Sequence, residues 1–310
     1  MSTPRWAPDR PISLDLAART IAEQFPDLAD RPVRLIGAGW DNAVFGVGDH
    51  WVFRFIHRAA ALEGSAAERA VLASLPPDLP LAVPRPRRVG TPTPEVPWPF
   101  WGSPYVPGTE LAEADLPDAD RAAAATALGS FLRTLHDPAL ASRATSDARG
   151  HGVELRVDPW SRATPRVVVP RVRATLDRLA DDGTSPDPAV EQLLDRAAHL
   201  GPPSEPPVLV HGDLHIRHVL VVRGRASGVI DWGDAGLGDP AIDLMIGFQA
   251  FTGPAREAFF AAYGPVGPDR RLRARTLAVH VAAALCEQAD ADGMEAVGME
   301  ARAALARAAR

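Results

Sequence analysis

Apolar residues recur at helical spacing near the start of the chain: Leu14, Leu16, Ala17, Ile21 and Phe25 predict an amphipathic helix over 12–27. The period then shortens. Val33 to Ile36 alternates weakly, Ala43 to Val47 follows a glycine-containing turn, and Trp51 to Ile56 is rich in aromatic and β-branched residues, which predicts three short strands. Gly48-Asp49 marks a hairpin turn between the last two. Ala61, Leu62, Ala66, Ala70, Val71 and Leu75 restore the helical period over 60–75, and Pro76-Pro77 ends it. A proline-rich stretch over 84–99 leads to a strand from Phe100 to Val106, closed by Pro107-Gly108.

Beyond that point the pattern is mainly helical. Helices are predicted over 118–136, 170–181 and 187–200, and again over 239–250, 254–263, 268–290 and 293–309. Residues 138–165 are polar and give no firm assignment, as an insertion would. Two apolar β-branched runs interrupt the helices, Val208-Leu209-Val210 and Val229-Ile230, and each leads to an aspartate, Asp213 and Asp231. The pattern therefore predicts an α+β chain with a small strand-rich part, 1–107, and a larger mainly helical part, 108–310. At about 150 residues per domain, the length also suggests two domains or lobes, with a nucleotide expected in the cleft between them.

Composition narrows the function classes. The net charge is −6 with no long basic run, which argues against a nucleic-acid partner. No apolar stretch of about 18 residues suggests a membrane span, and residues 1–10 lack the apolar core of a signal peptide. The single cysteine, Cys286, allows no intrachain disulfide, so a cytoplasmic setting is expected. All 33 basic residues are arginine, so a site that elsewhere uses lysine must use arginine here.

The two strand-borne aspartates carry the chemistry. A strand that buries its apolar residues and presents a carboxylate at its tip is a rigid mount. Phosphoryl transfer uses two such groups, one to orient and deprotonate the attacking hydroxyl, the other to hold Mg²⁺ on the nucleotide phosphates. Arg54 is the one charge in the apolar run Trp51-Val52-Phe53-Arg54-Phe55. Facing inward it needs an anionic partner; facing outward it needs none. Gly37-Ala38-Gly39-Trp40-Asp41-Asn42 is a glycine-bearing loop whose backbone N–H groups can approach phosphates, or an ordinary hairpin connection.

Together, His211-Gly212-Asp213-Leu214-His215-Ile216-Arg217-His218, Ile230-Asp231-Trp232 and Gly238-Asp239-Pro240-Ala241-Ile242-Asp243-Leu244 resemble the aminoglycoside phosphotransferase family. These antibiotic kinases share a fold with protein kinases and choline kinases. Their catalytic loop reads His-Gly-Asp-x-x-x-x-Asn, and their metal segment Ile-Asp-(Trp/Phe). The resemblance implies a two-lobed protein-kinase-like fold, with Asp213 as base and Asp231 as principal Mg²⁺ ligand. It implies that Gly37, Gly39 and Asn42 line the phosphates, that Arg54 steadies them with a helical glutamate as partner, Glu68 first and Glu63 second, and that Phe100 to Pro107 is a hinge beside the base of ATP or GTP. Tyr105 in that hinge stacks or merely packs. His211 shapes the loop; Asp239 is an N-cap before Pro240; Asp243 holds the same segment by a buried hydrogen bond or ion pair; Asp234, His215 and Arg217 read as loop surface, Asp234 with the cleft as its alternative.

The departure is His218, where the family has asparagine. It contacts the metal or a phosphate, or acts through water, or marks a crippled site; macrolide phosphotransferases also carry histidine there. The implied reaction moves the γ-phosphoryl group of ATP or GTP to a hydroxyl of a small molecule, a macrolide or aminoglycoside antibiotic, conferring resistance. The alternatives are a kinase of a metabolic small molecule and a non-catalytic nucleotide-binding protein. Polycationic aminoglycosides would use carboxylates such as Glu287, Asp290, Asp292, Glu295 and Glu300. A macrolide would use an apolar groove from Phe248, Phe251, Phe259, Phe260 and Tyr263. A monomer or homodimer is expected.

Overall fold

The computed structural model describes residues 8–39, 41–181 and 187–310; part of the N-terminal segment read above, and Trp40 of the glycine loop, lie outside them. Internal contacts divide the chain into two compact units: Met1–Ala73 with Val83–Val106, and Ser74–Ala82 with Pro107–Arg310.

The first unit is built on a five-stranded antiparallel sheet. α1 (Leu14–Gln24) is shorter than its apolar pattern, because Ser13 caps it through Leu16 N–H and Pro26 opens a 3-10 turn. β1 (Val33–Ala38), β2 (Asn42–Val47) and β3 (Trp51–Ile56) follow as a meander. Gly48 turns β2 into β3 at φ +54°, a conformation glycine adopts without strain. α2 (Leu62–Ser74) then leads to β4 (Arg88–Gly90) and β5 (Phe100–Pro104), and the strand order is β1-β2-β3-β5-β4. β4 lies inside the proline-rich stretch. It is a short edge strand carrying a charge, which periodicity cannot detect. The core is aromatic: Phe45, Phe53, Phe55 and Phe100 are fully buried, and Phe55 stacks on Phe100 at 4.4 Å.

The second unit is mainly helical. After β6 (Thr109–Glu110) come α3 (Ala122–Leu135), α4 (Pro138–Gly150), α5 (Pro165–Asp181) and α6 (Pro188–Ala198). α4 occupies the stretch that gave no assignment. Its N-cap, Asp137, accepts from Ala139 N–H with Pro138 in the first turn, and its buried face is Leu140, Ala141, Ala144 and Ala148. Alanines make that face too weakly apolar to register as periodic. α5 begins five residues before the predicted start at 170, with Pro170 inside the helix.

β7 (Val208–Val210) pairs with β10 (Gly236–Gly238), while β8 (Val219–Val222) and β9 (Arg225–Val229) form a hairpin beside β6. The predicted helix over 239–250 is broken at Met245 into α7 (Ala241–Leu244) and α8 (Ile246–Gln249). α9 (Gly253–Tyr263), α10 (Pro268–Asp292) and α11 (Glu295–Ala309) complete the chain. α3 packs closely on α9: a Cβ at Gly129 would meet Phe259 O at 2.3 Å, so only glycine fits there. No helix among the described residues is long and apolar enough to cross a membrane.

Candidate active site

Asp213 and Asp231 leave two different sheets. Asp213 stands three residues past β7, and Asp231 two residues past β9. The loop between β7 and β8 joins them through His218. Its Nδ1–H donates to the main-chain carbonyl of Asp213 at 2.8 Å, which turns Nε2 toward Asp231, 3.5 Å from Oδ2. Asp231 itself sits at φ +63°, in the left-handed region, and the following Trp232 is fully buried with its Nε1–H on Val229 O at 3.1 Å. A buried indole thus pins the residue next to a half-exposed carboxylate, at a backbone conformation that carries strain.

The loop is fixed from beneath by Asp243. This carboxylate is fully buried and accepts from His211 N–H at 2.8 Å, Gly212 N–H at 3.0 Å and His136 Nε2–H at 3.1 Å. His136 Nδ1 is in turn hydrogen-bonded to the Tyr263 hydroxyl at 3.0 Å, so a hydrogen-bonded chain runs from α9 through the end of α3 to the loop. Burial pushes the Asp243 carboxyl up, but the hydrogen bond and charge of His136 outweigh it and hold the group below its ordinary value. Gly212 at φ +92° is forced: a Cβ would meet Asp234 O at 2.2 Å. His211 is sealed from solvent, with Nδ1 accepting from Asp213 N–H and Nε2–H donating to Ile230 O at 3.0 Å. Burial lowers its imidazole from the ordinary value, so it stays neutral and shapes the loop.

Around Asp213 the structure changes the reading of His215, settles the partner of Asp234 and adds Arg162. His215 is buried rather than loop surface. It stacks on His218 with ring centroids 3.9 Å apart, and its Nε2 lies 3.6 Å from Asp213 Oδ2. Its Nδ1 accepts from Arg217 N–H, which places the proton on Nε2, toward Asp213; burial, with His218 next, pushes its imidazole well below the ordinary value. Asp234 is ion-paired, at 2.6 Å, to Arg162 Nη2. Arg162 also donates to Gly212 O at 2.7 Å and lies 3.9 Å from Asp213 Oδ1. Arg162 was missed because it sits in the stretch without periodicity. It is held by the Asp158 carboxylate, which accepts from Arg162 and Ala163 N–H, and no motif announces that turn. Arg217 pairs with Glu110 at 3.0 Å, and Asp239 caps α7 through Ala241 N–H while also binding Arg270.

In the first unit Arg54 Nη1 meets Glu68 Oε1 at 2.5 Å, over the ring of Trp101. Glu68 is 1 % exposed, on the inward face of α2 where an apolar residue would follow the pattern. Nothing lies within 4 Å of a Cβ built at Gly37, and only Asn42 O, at 4.0 Å, is near one at Gly39, so packing does not require glycine at either position. Asn42 Oδ1 is buried with no hydrogen-bond partner among the described residues. Tyr105 is exposed, so it does not pack in the core; its backbone N–H is taken by His50 O at 2.8 Å.

Neither acceptor-binding set named from sequence lines the pocket at Asp213. Glu287 is paired with Arg178, Asp290 with Arg302, and Glu300 with Arg121 and Arg307; Asp292 and Glu295 are exposed helix-end residues. Phe248, Phe251, Phe259 and Phe260 are core, and Tyr263 serves His136. The walls near Asp213 come instead from α7 and α10.

This architecture is that of the antibiotic phosphotransferases. A macrolide 2'-phosphotransferase from Brachybacterium faecium superposes with TM-score 0.60 at 28 % identity, covering 95 % of this chain and 98 % of that one. The GDP complex of aminoglycoside 2'-phosphotransferase-IIIa superposes with TM-score 0.65 at 20 % identity, covering 96 % and 98 %, a likeness of fold. Residues 32–276 match the phosphotransferase enzyme family, and the chain belongs to that family. Over 84 residues it is 36 % identical to an aminoglycoside 3'-phosphotransferase of Escherichia coli, covering 26 % of this chain and 31 % of that protein. A further 56-residue match, 39 % identical, covers 18 % of this chain and 18 % of protein YcbJ of Bacillus subtilis. These sequence matches span under a third of the curated relatives they touch.

Proposed function

We propose that the protein transfers the γ-phosphoryl group of ATP or GTP to a hydroxyl of a small molecule, an antibiotic of the macrolide or aminoglycoside kind, and so inactivates it. The observation that carries this is the Asp213–His218–Asp231 cluster on a loop locked by the buried Asp243. Asp213 orients the acceptor hydroxyl and takes its proton. The hydroxyl oxygen forms a bond to the γ-phosphorus as the bond to the β-phosphate oxygen breaks, and the nucleoside diphosphate leaves. His215, through Nε2–H, and Arg162 flank the two oxygens of that carboxylate and keep it turned toward the acceptor. Arg54, fixed by Glu68, steadies the nucleotide phosphates, with Gly37, Gly39 and Asn42 beside them and Tyr105 near the base.

The donors fit a divalent cation. His218 Nε2 and Asp231 Oδ2 are 3.5 Å apart, and adjacent ligands of a cation with bonds of about 2.1 Å lie about 3 Å apart. Asp231 supplies the hard oxygen and His218 a nitrogen in place of the amide oxygen. Mg²⁺ bound there would neutralise charge on the nucleotide phosphates. Rate enhancement comes from positioning and charge neutralisation without a covalent intermediate.

The test is nucleotide consumption with ATP and GTP, in Mg²⁺, against macrolide and aminoglycoside panels. Acceptor-dependent turnover that Asp213→Ala abolishes is the expected result. Turnover that survives Asp213→Ala would refute the assignment of the base.

A further inference from the structure

In the second unit, α9 and the first turn of α10 border an open cavity of about 700 Å³, within the roughly 300–1,000 Å³ typical of small-molecule sites. No residue lines both this cavity and the pocket at Asp213. Two arginines line it, Arg256 and Arg271. Neither is paired with a carboxylate among the described residues; main-chain carbonyls and aromatic rings hold them instead. Arg256 donates from Nε to Phe251 O at 2.9 Å and from Nη2 to Arg307 O at 2.8 Å, with its guanidinium carbon 5.2 Å from the centre of the Phe248 ring. Arg271 donates from Nε to Val266 O at 3.2 Å, with its guanidinium carbon 4.1 Å from the centre of the Phe260 ring. These two rings pack together, centroids 5.3 Å apart, so one aromatic pair carries both cations. Nη1 of Arg256 and both terminal nitrogens of Arg271 are left without a hydrogen-bond partner among the described residues.

The charge around Arg256 is unbalanced. Two other arginines of this unit are neutralised, Arg307 by Asp118 and Glu300 and Arg270 by Asp239 and Glu205. Arg256 is half-buried like them, yet burial first, then the positive charges of Arg275 and Arg307, push its guanidinium down to about 10. Asp118, which offsets this, is already bonded to Arg307. Arg256 remains charged at pH 7. Glu257, exposed, is the one acid in the lining, so two guanidiniums and one carboxylate leave the cavity net positive in a chain of net charge −6. Planar guanidinium forks fixed in place, with N–H groups to spare, match an anion that presents several oxygens. Their side-chain entropy is already lost to the carbonyls and rings, so little more is lost on binding.

We propose that this cavity is a second ligand site, separate from the Asp213 pocket, that binds the phosphate group of a phosphorylated small molecule through Arg256 and Arg271. The proposal does not depend on the reading of Asp213 as the base.

The test is isothermal titration calorimetry at constant ionic strength with inorganic phosphate, glucose 6-phosphate and glucose, on the full chain and on Arg271→Gln, Arg256→Gln and Glu257→Gln. At least one of the two phosphate probes is expected to bind with a Kd of about 1 mM or below, and glucose not to bind. Arg271→Gln and Arg256→Gln should each weaken that binding about tenfold, the loss of a charge-assisted hydrogen bond. Glu257→Gln removes the repelling charge and should tighten the binding of inorganic phosphate about twofold. Arg256 also ties α9 to the end of α11, so where Arg256→Gln fails to fold, the exposed Arg271 decides. Binding of neither phosphate probe, or binding of glucose as strong as that of glucose 6-phosphate, overturns the proposal. Binding that Arg271→Gln leaves unchanged also overturns it, by placing the anion elsewhere, as at the nucleotide phosphates. Weaker binding of inorganic phosphate by Glu257→Gln overturns the charge argument and the site with it.

Discussion

Asp243 touches no reacting atom, yet its replacement should disable the site. In Asp243→Asn the side chain keeps its shape but exchanges one acceptor oxygen for an NH2 donor. Oδ1 serves Gly212 N–H, and Oδ2 serves both His211 N–H and His136 Nε2–H. The amide oxygen will take the Oδ2 position, because that saves two bonds, and the NH2 then faces Gly212 N–H at about the present 3.0 Å. One charge-assisted bond is lost and one buried N–H is orphaned, about 2–3 kcal/mol. For a unit of this size that is a fall of roughly 5–10 °C in Tm. Asp243→Ala orphans all three donors and should cost about 4 kcal/mol or more. Thermal and urea unfolding measure both, and kcat should fall with stability because the Asp213 loop hangs from these bonds. An Asp243→Ala protein within about 1 kcal/mol of wild type would refute the claim that this carboxylate holds the loop.

Three further outcomes follow from the geometry. Glu68→Ala removes the partner that Arg54 meets inside the sheet unit and should raise the nucleotide KM about tenfold while lowering stability by about 3 kcal/mol; an unchanged nucleotide KM would count against a phosphate role for Arg54. His218→Asn puts an oxygen donor in place of the ring nitrogen, so half-maximal activity should need less Mg²⁺; identical Mg²⁺ titrations would remove His218 from the metal site. Burial lowers His211 and His280 below the ordinary imidazole value of 6.5, so the unfolded chain binds protons that the folded one refuses. Stability is full above pH 6.5 and falls as the pH drops through it, by up to about 1.4 kcal/mol per pH unit for each histidine. Urea midpoints at pH 7.5 and 5.5 test this, and a higher midpoint at pH 5.5 would contradict it.

Much of the fold is legible because its signals are local. Apolar periodicity marks most helices, and proline, glycine and capping residues mark their ends. The two strand tips with Asp213 and Asp231 are legible for the same reason, each a β-branched run ending in a carboxylate. What escapes is set by tertiary contacts. α4 hides behind an alanine face, and β4 is an edge strand of three residues. Glu68 breaks the apolar pattern of α2, so only the resemblance, not the periodicity, points to it as the partner of Arg54. His215 looks like loop surface until His218 stacks on it, and Arg162 reaches Asp213 from a segment with no periodicity at all. Acceptor contacts are hardest to read, since the aromatic residues that look available are core and Glu287, Asp290 and Glu300 are already paired with arginines.

The most direct measurement is mass spectrometry of the acceptor after incubation with Mg²⁺ and ATP or GTP, using wild type and Asp213→Ala matched for nucleotide binding by thermal shift. Phosphate added to a hydroxyl by the wild type, and none by the variant that still binds nucleotide, is the predicted result. Equal phosphorylation by both proteins, or nucleotide binding by the wild type without transfer to any acceptor, would contradict an Asp213-dependent phosphotransferase.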